Sequence, residues 1–191
     1  MQAQARTRGR QLLAVVEVTL AALLLGGCQA DDPAPTPTVP RATESPHPSQ
    51  STTAPETAEE RARRLAGEAV VKYWASVDRL ASQPTAPISD LAAVAAGQAR
   101  TQQESTLTVY RQKAWKQTGL ASVSGLRVST LSPERFSVSA CVDVTRVDLV
   151  NGQGVSQVNP NRPDLQRFSY TVGKQGNGFR VLEDNLKATA C

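Results

Sequence analysis

The sequence predicts an α+β domain in which N-terminal helices pack on a strongly bent antiparallel sheet. Between Thr57 and Gly119 apolar residues recur at helical spacing, and beyond Gly119 they alternate with polar ones, the period of a half-buried strand. Residues 29–56 have no apolar period, and residues 1–27 are a basic start followed by an apolar run, so the domain is confined to residues 57–191. Helices that precede all the strands are expected to gather on one face of the sheet.

Thr57-Ala58-Glu59-Glu60 reads as a capping box opening the first helix. Behind it Leu65, Ala66, Ala69, Tyr73, Val77 and Leu80 form an apolar stripe, with Val70 and Trp74 at its margins. Glu59 with Arg63 and Glu60 with Arg64 are favourable i,i+4 pairs, so Arg61, Arg63 and Arg64 read as a solvated face rather than a polyanion site. Pro84 and Pro87 end this helix. Ser89 or Asp90 is expected to cap a short second helix through Leu91, Val94 and Ala95, which Gly97 closes. Thr101-Gln102-Gln103-Glu104 reads as a second capping box, opening a third helix through Leu107, Tyr110 and Ala114 to Gly119. Arg111, Lys113 and Lys116 suit its C-terminal end.

The strands follow. Leu126 and Val128 mark the first. In the next, Phe136, Val138, Ala140, Val142 and Val144 point one way, while Ser137, Ser139, Cys141, Asp143 and Thr145 point the other. Val147 and Leu149 fall on the opposite phase, which predicts a bulge near Thr145-Arg146. Asn151-Gly152 and residues 160–163 read as loops. Phe168, Tyr170 and Val172 make another inward row, and Gly176-Asn177-Gly178 turns the chain into Phe179 and Val181 as a hairpin.

The full chain carries a formal charge of +4. Loss of Arg6, Arg8, Arg10 and Glu17 with a leader would lower it to +2, a balance that favours anionic lipid or wall polymer weakly and does not argue for nucleic acid. There is no Gly-x-x-x-x-Gly-Lys, His-Glu-x-x-His or Cys-x-x-Cys, so no cofactor or metal is expected. Tyr170 and Lys174 copy a dehydrogenase spacing, but no glycine-rich dinucleotide turn accompanies them. His47, the single histidine, lies between two prolines outside the domain.

Arg6, Arg8 and Arg10, the apolar run from Leu12 to Leu25 and the small residues before Cys28 form a secretory layout. At Leu25-Gly26-Gly27-Cys28 the sequence resembles the lipobox of bacterial lipoproteins. The resemblance implies removal of residues 1–27 and acylation of Cys28, which would hold the protein in the cell membrane on its extracytoplasmic face. Two other readings stand beside it: an uncleaved membrane helix over residues 11–27, short and burdened by Glu17, and ordinary cleaved secretion. Residues 28–56 then read as the lipidated cysteine and a Pro/Thr/Ser-rich tether of polyproline character.

With Cys28 set aside, Cys141 and Cys191 remain as one pair in an exported domain, where a disulfide is the expectation and two unlinked thiols the alternative. Cys141 lies on the polar side of its strand, so a bridge would pin the C-terminal tail to the sheet face that the helices leave open.

Tyr73-Trp74, Cys141-Val142-Asp143-Val144, Tyr170-Thr171-Val172, Gly178-Phe179-Arg180-Val181 and the terminal cysteine resemble actinobacterial lipoproteins carrying a cone-shaped domain. That domain is similar to the superfamily of nuclear transport factor two, scytalone dehydratase and ketosteroid isomerase, a cystatin-like roll. The resemblance implies, for its enzymes, a cavity between helices and sheet with an aspartate or histidine base and often a tyrosine donor. Here Tyr170 is the candidate donor, a satisfied core tyrosine being the plainer reading, and Asp143 faces away. The expectation is therefore a non-catalytic binding or protein-interaction domain whose partner is an envelope protein or small molecule. A dehydratase- or isomerase-like enzyme, or an envelope assembly module with an uncleaved membrane helix, stands as the alternative.

Overall fold

The computed structural model describes residues 55–187 and Cys191. The leader, Cys28, His47 and nearly all of the tether lie outside the described residues. Among the described residues three helical elements come first: α1 (Ala58–Ser82), a 3-10 helix (Ile88–Ala93) and α2 (Gly97–Gln112). Six strands follow: β1 (Lys116–Thr118), β2 (Ser122–Ser132), β3 (Arg135–Asp143), β4 (Asp148–Val150), β5 (Leu165–Gln175) and β6 (Gly178–Leu186). The main sheet has the order β2-β3-β5-β6, all antiparallel, and β1 pairs with β4 in a separate ribbon. The fold is α+β, helices packed on a curved antiparallel sheet.

α1 begins where the sequence places it. The Thr57 side chain accepts from the Glu60 N–H, and the Glu60 carboxylate takes the Thr57 N–H at 2.8 Å. That use of Glu60 overturns its expected pairing with Arg64, whose guanidinium instead holds Glu56 at 2.9 Å and Glu68 at 2.7 Å. The Arg63–Glu59 pair forms as expected. On the buried side Ala66, Ala69, Val70, Tyr73, Val77 and Leu80 face the sheet, and Gly67 lets Val128 of β2 approach.

The middle segment departs from expectation. The second helix is a single 3-10 stretch without a side-chain cap, because Asp90 is drawn to Arg79 at 3.0 Å. Gly97 opens α2 rather than closing the element before it, and Thr101 sits inside α2 with its hydroxyl donating to the Gly97 carbonyl. The reason is tertiary. Ala96 N–H donates to Val181 O at 2.9 Å and Val181 N–H to Val94 O at 3.0 Å, so residues 94–96 run along the outer edge of β6 and fix where α2 starts. α2 ends at Gln112, before the expected Gly119, and Lys116 joins β1.

Phe136, Val138, Ala140, Val142, Phe168, Tyr170 and Val172 all point into the core, as their alternation requires. Leu126 does not: it lies in an irregularity of β2 and is exposed, while Val123 and Val128 face inward. The expected bulge near Thr145-Arg146 is instead a turn that breaks the strand. Asp143 accepts from Thr145 N–H at 2.9 Å, Val147 N–H donates to Val144 O, and Arg162 donates to both Val144 O and Val147 O. Gly119 lies against this turn at φ +70°, and a Cβ there would sit 1.8 Å from Arg146 O.

Candidate functional site

Three places could carry function: the polar cluster inside the core, the cysteine pair on the outer sheet face, and clefts where helices meet strand ends.

The interior cluster is built from α1, β5 and β6. Tyr170 pairs across the ladder with Asp184, and both point inward. Strict alternation from Phe179 and Val181 would have sent Glu183 inward. The ladder shifts register between Thr171 and Val172, leaving Leu182 as an extra residue, and the phase flips so that Asp184 is buried. Sequence reading missed Asp184 for that reason, and Gly173 was the available signal: a Cβ there would strike the Leu182 side chain at 2.6 Å.

Asp184 Oδ2 accepts from the Tyr73 hydroxyl at 2.7 Å, and its Oδ1 is buried without a partner. The Gln98 side chain of α2 brackets its backbone, accepting from Asp184 N–H at 2.8 Å and donating to Asp184 O at 3.2 Å. Burial pushes the Asp184 carboxyl above the ordinary aspartate range, and the Tyr73 bond opposes that rise. Both phenols are pushed up, chiefly by burial.

Tyr170 is where the sequence predicts, inward and buried, and its hydroxyl oxygen accepts from Trp74 Nε1 at 2.7 Å. Around it Tyr73, Trp74 and Phe168 interlock: Tyr73 meets Trp74 and Tyr170 edge-on, Trp74 meets Phe168 edge-on at 5.3 Å, and Phe168 stacks on Tyr170 at 5.9 Å. The Asp184 carboxyl therefore takes its hydrogen bond from Tyr73 rather than from its cross-strand neighbour Tyr170, and aromatic rings surround the donor.

Cys141 and Cys191 lie at disulfide-bonding distance, their Cα atoms 5.7 Å apart. Cys141 shares the outer face with Ser137, Ser139, Ser169 and Thr171, and Arg167 donates to Cys191 O at 3.0 Å. Asp143 is spent on the Thr145 turn, whose hydrogen bonds hold its carboxyl below the usual range. Among the described residues no group of three or more His, Cys, Asp or Glu could hold a metal ion, and no helix is long and apolar enough to cross a membrane.

Two clefts bear on function. One lies beside α1 and the β1–β2 connection, walled by Val71, Trp74, Leu120 and Val123. Asp78 lies at it, but both its oxygens are used, by Gln117 Nε2 at 2.7 Å and Ala121 N–H at 3.0 Å. Burial raises the Asp78 carboxyl against those bonds, which makes it a staple between α1 and β1. The second cleft, of about 480 Å³, is bounded by α1, the end of the 3-10 helix and the β5–β6 hairpin. Arg61, Leu65, Ala69 and Lys72 form its α1 wall, and Lys174 and Phe179 face them. Arg61 thus belongs to a cleft, while Arg63 and Arg64 are held in ion pairs on the solvated face.

No family model and no curated protein sequence matches the chain. Solved structures do. The intermembrane space region of chloroplast protein ARC6 is 18% identical, with 66% of this chain and 97% of that one covered at a TM-score of 0.50. A candidate aromatic ring hydroxylase from Novosphingobium aromaticivorans is 13% identical, covering 66% and 88% at 0.48. A candidate scytalone dehydratase from the same organism is 15% identical, covering 66% and 83% at 0.45. At these identities the ARC6 likeness shows the fold alone.

Proposed function

We propose that the chain is an envelope lipoprotein whose folded domain is a non-catalytic binding or interaction module, held on the extracytoplasmic face of the cell membrane by acylated Cys28. The observation that supports the binding reading is the state of the interior. The donor Tyr170 is enclosed by Trp74, Phe168 and Tyr73, its oxygen already accepts a hydrogen bond, and the clefts with room for a ligand lie at the surface. The leader and tether support the location, since two or more acyl chains at about 0.8 kcal/mol per CH₂ anchor a protein stably. Mass spectrometry of the protein from its own membranes tests the anchor: an N-terminus at diacylated Cys28 is expected, and an intact leader would overturn it.

One observation favours a small-molecule enzyme as the second reading. Asp184 is a buried carboxyl with a free oxygen and a raised proton affinity, neighboured by two phenols, which is what a general base in this fold would need. A substrate would have to displace Trp74 or Tyr73 from their present bonds. A crystal structure with a small molecule seated against Asp184 Oδ1 would establish that reading.

A further inference from the structure

The cleft bounded by α1, residues 93–94 and the β5–β6 hairpin combines two chemistries that a plain surface groove does not. Arg61, Leu65, Ala69 and Lys72 stand at helical spacing, so the two cations flank two apolar residues on one stripe of α1. Opposite them Val94 and Phe179 extend the apolar floor, Phe179 being fixed edge-on against Phe136 at 5.6 Å, and Lys174 adds a third cation. Among the described residues no acidic one lines the cleft. Two of the three cations have acid partners outside the cleft: Glu134 holds Lys174 at 3.1 Å, and Glu68 is 3.9 Å from Lys72 and bound more closely by Arg64. The Arg61 guanidinium makes no ion pair among the described residues, since Glu56 is taken by Arg64.

The hairpin that carries Lys174 and Phe179 closes in a tight two-residue loop. Gln175 pairs with Gly178, and Gly176 at φ +61° occupies the first loop position, where a two-residue hairpin loop calls for glycine. The volume of about 480 Å³ lies in the range of small-ligand sites. A long polyanion would need a continuous run of free cations, and Arg63 and Arg64 are already neutralised along the helix.

We infer that this cleft is a binding site for a single-chain anionic amphiphile, its one carboxylate or phosphate head held by Arg61, the cation of the cleft without an ion pair among the described residues, and its apolar tail lying on Leu65, Ala69, Val94 and Phe179. The inference rests on the binding reading of the domain and not on the lipid anchor. It adds the ligand class, and it gives Arg61 a role beyond the solvated face.

The test is calorimetric titration of the full chain as purified, in phosphatidylcholine nanodiscs if it is membrane-bound and in buffer if it is not, with the matching blank subtracted. Octanoate, octyl phosphate, octylammonium and inorganic phosphate serve as probes. Saturable binding of octanoate or octyl phosphate is expected, and whichever binds more tightly identifies the head group. Octylammonium and inorganic phosphate should not bind. Arg61→Glu, at an exposed position, should weaken the binding roughly tenfold, as removal and reversal of one charge-assisted contact would, and Lys72→Glu, about 16 Å along the helix, should weaken it less. Equal binding of octylammonium, equal binding of inorganic phosphate, indifference to the Arg61 charge reversal, or no binding of either anionic probe would each overturn the assignment. The mass of the N-terminal residue in the same sample reports on the anchor separately, so the two proposals fail independently.

Discussion

Removing the Tyr73 hydroxyl would leave the Asp184 carboxyl buried with neither oxygen hydrogen-bonded. Tyr73→Phe is therefore expected to lower the unfolding free energy by about 2–3 kcal/mol, read as a shifted urea midpoint at unchanged slope. Asp184→Asn keeps an oxygen that accepts from Tyr73 and buries no charge, so stability at neutral pH should hold or rise. The pH dependence has a definite sign. Burial raises the carboxyls of Asp184 and Asp78 in the folded state, so the folded protein binds their protons more tightly than the unfolded chain does. Their contribution is present in full below the ordinary aspartate value, about 3.9, and is lost as pH rises through the raised folded values. Unfolding free energy attributable to Asp184 should thus fall with rising pH above that value. The difference between the native chain and Asp184→Asn isolates it from exposed carboxylates such as Asp143, whose lowered values act in the opposite sense.

At the scale of elements, the joint between β1 and the turn after β3 depends on one missing side chain. Gly119 combines a positive φ with a backbone oxygen where a Cβ would sit. Gly119→Ala should cost at least about 2 kcal/mol in chemical denaturation, through both strain and displacement of the turn. The inward rows of β3 and β5 were legible beforehand, since a strand's own alternation tells its two faces apart. What alternation could not supply was the relation between strands. The irregularity opposite Thr171 and Val172 inverts the phase of β6, hides Asp184 and leaves Glu183 free to accept from the Thr171 hydroxyl on the outer face. The beginning of α2 was misread for a similar reason: a local capping pattern at Thr101 was outweighed by strand-like pairing of residues 94–96 with β6.

For the whole molecule, the cysteine pair joins the middle of β3 to the last residue across 50 positions. With the bridge formed, Cys141→Ser should reduce stability by about 2–4 kcal/mol, and a reducing agent should produce the same loss in the native chain but none in the variant. The sequence by itself determined the α+β order of elements, the capped start of α1, the core faces of β3 and β5, and a pair of cysteines left to each other. These are properties of a single segment, written in its period and its end residues. The tertiary structure alone decided that the sheet splits into two, that Asp184 rather than Glu183 enters the core, that Tyr170 is occupied by Trp74, and that the exposed Arg61 borders a cleft. Each of those depends on register or packing between segments far apart in the chain, and no local pattern encodes the offset at which two segments meet.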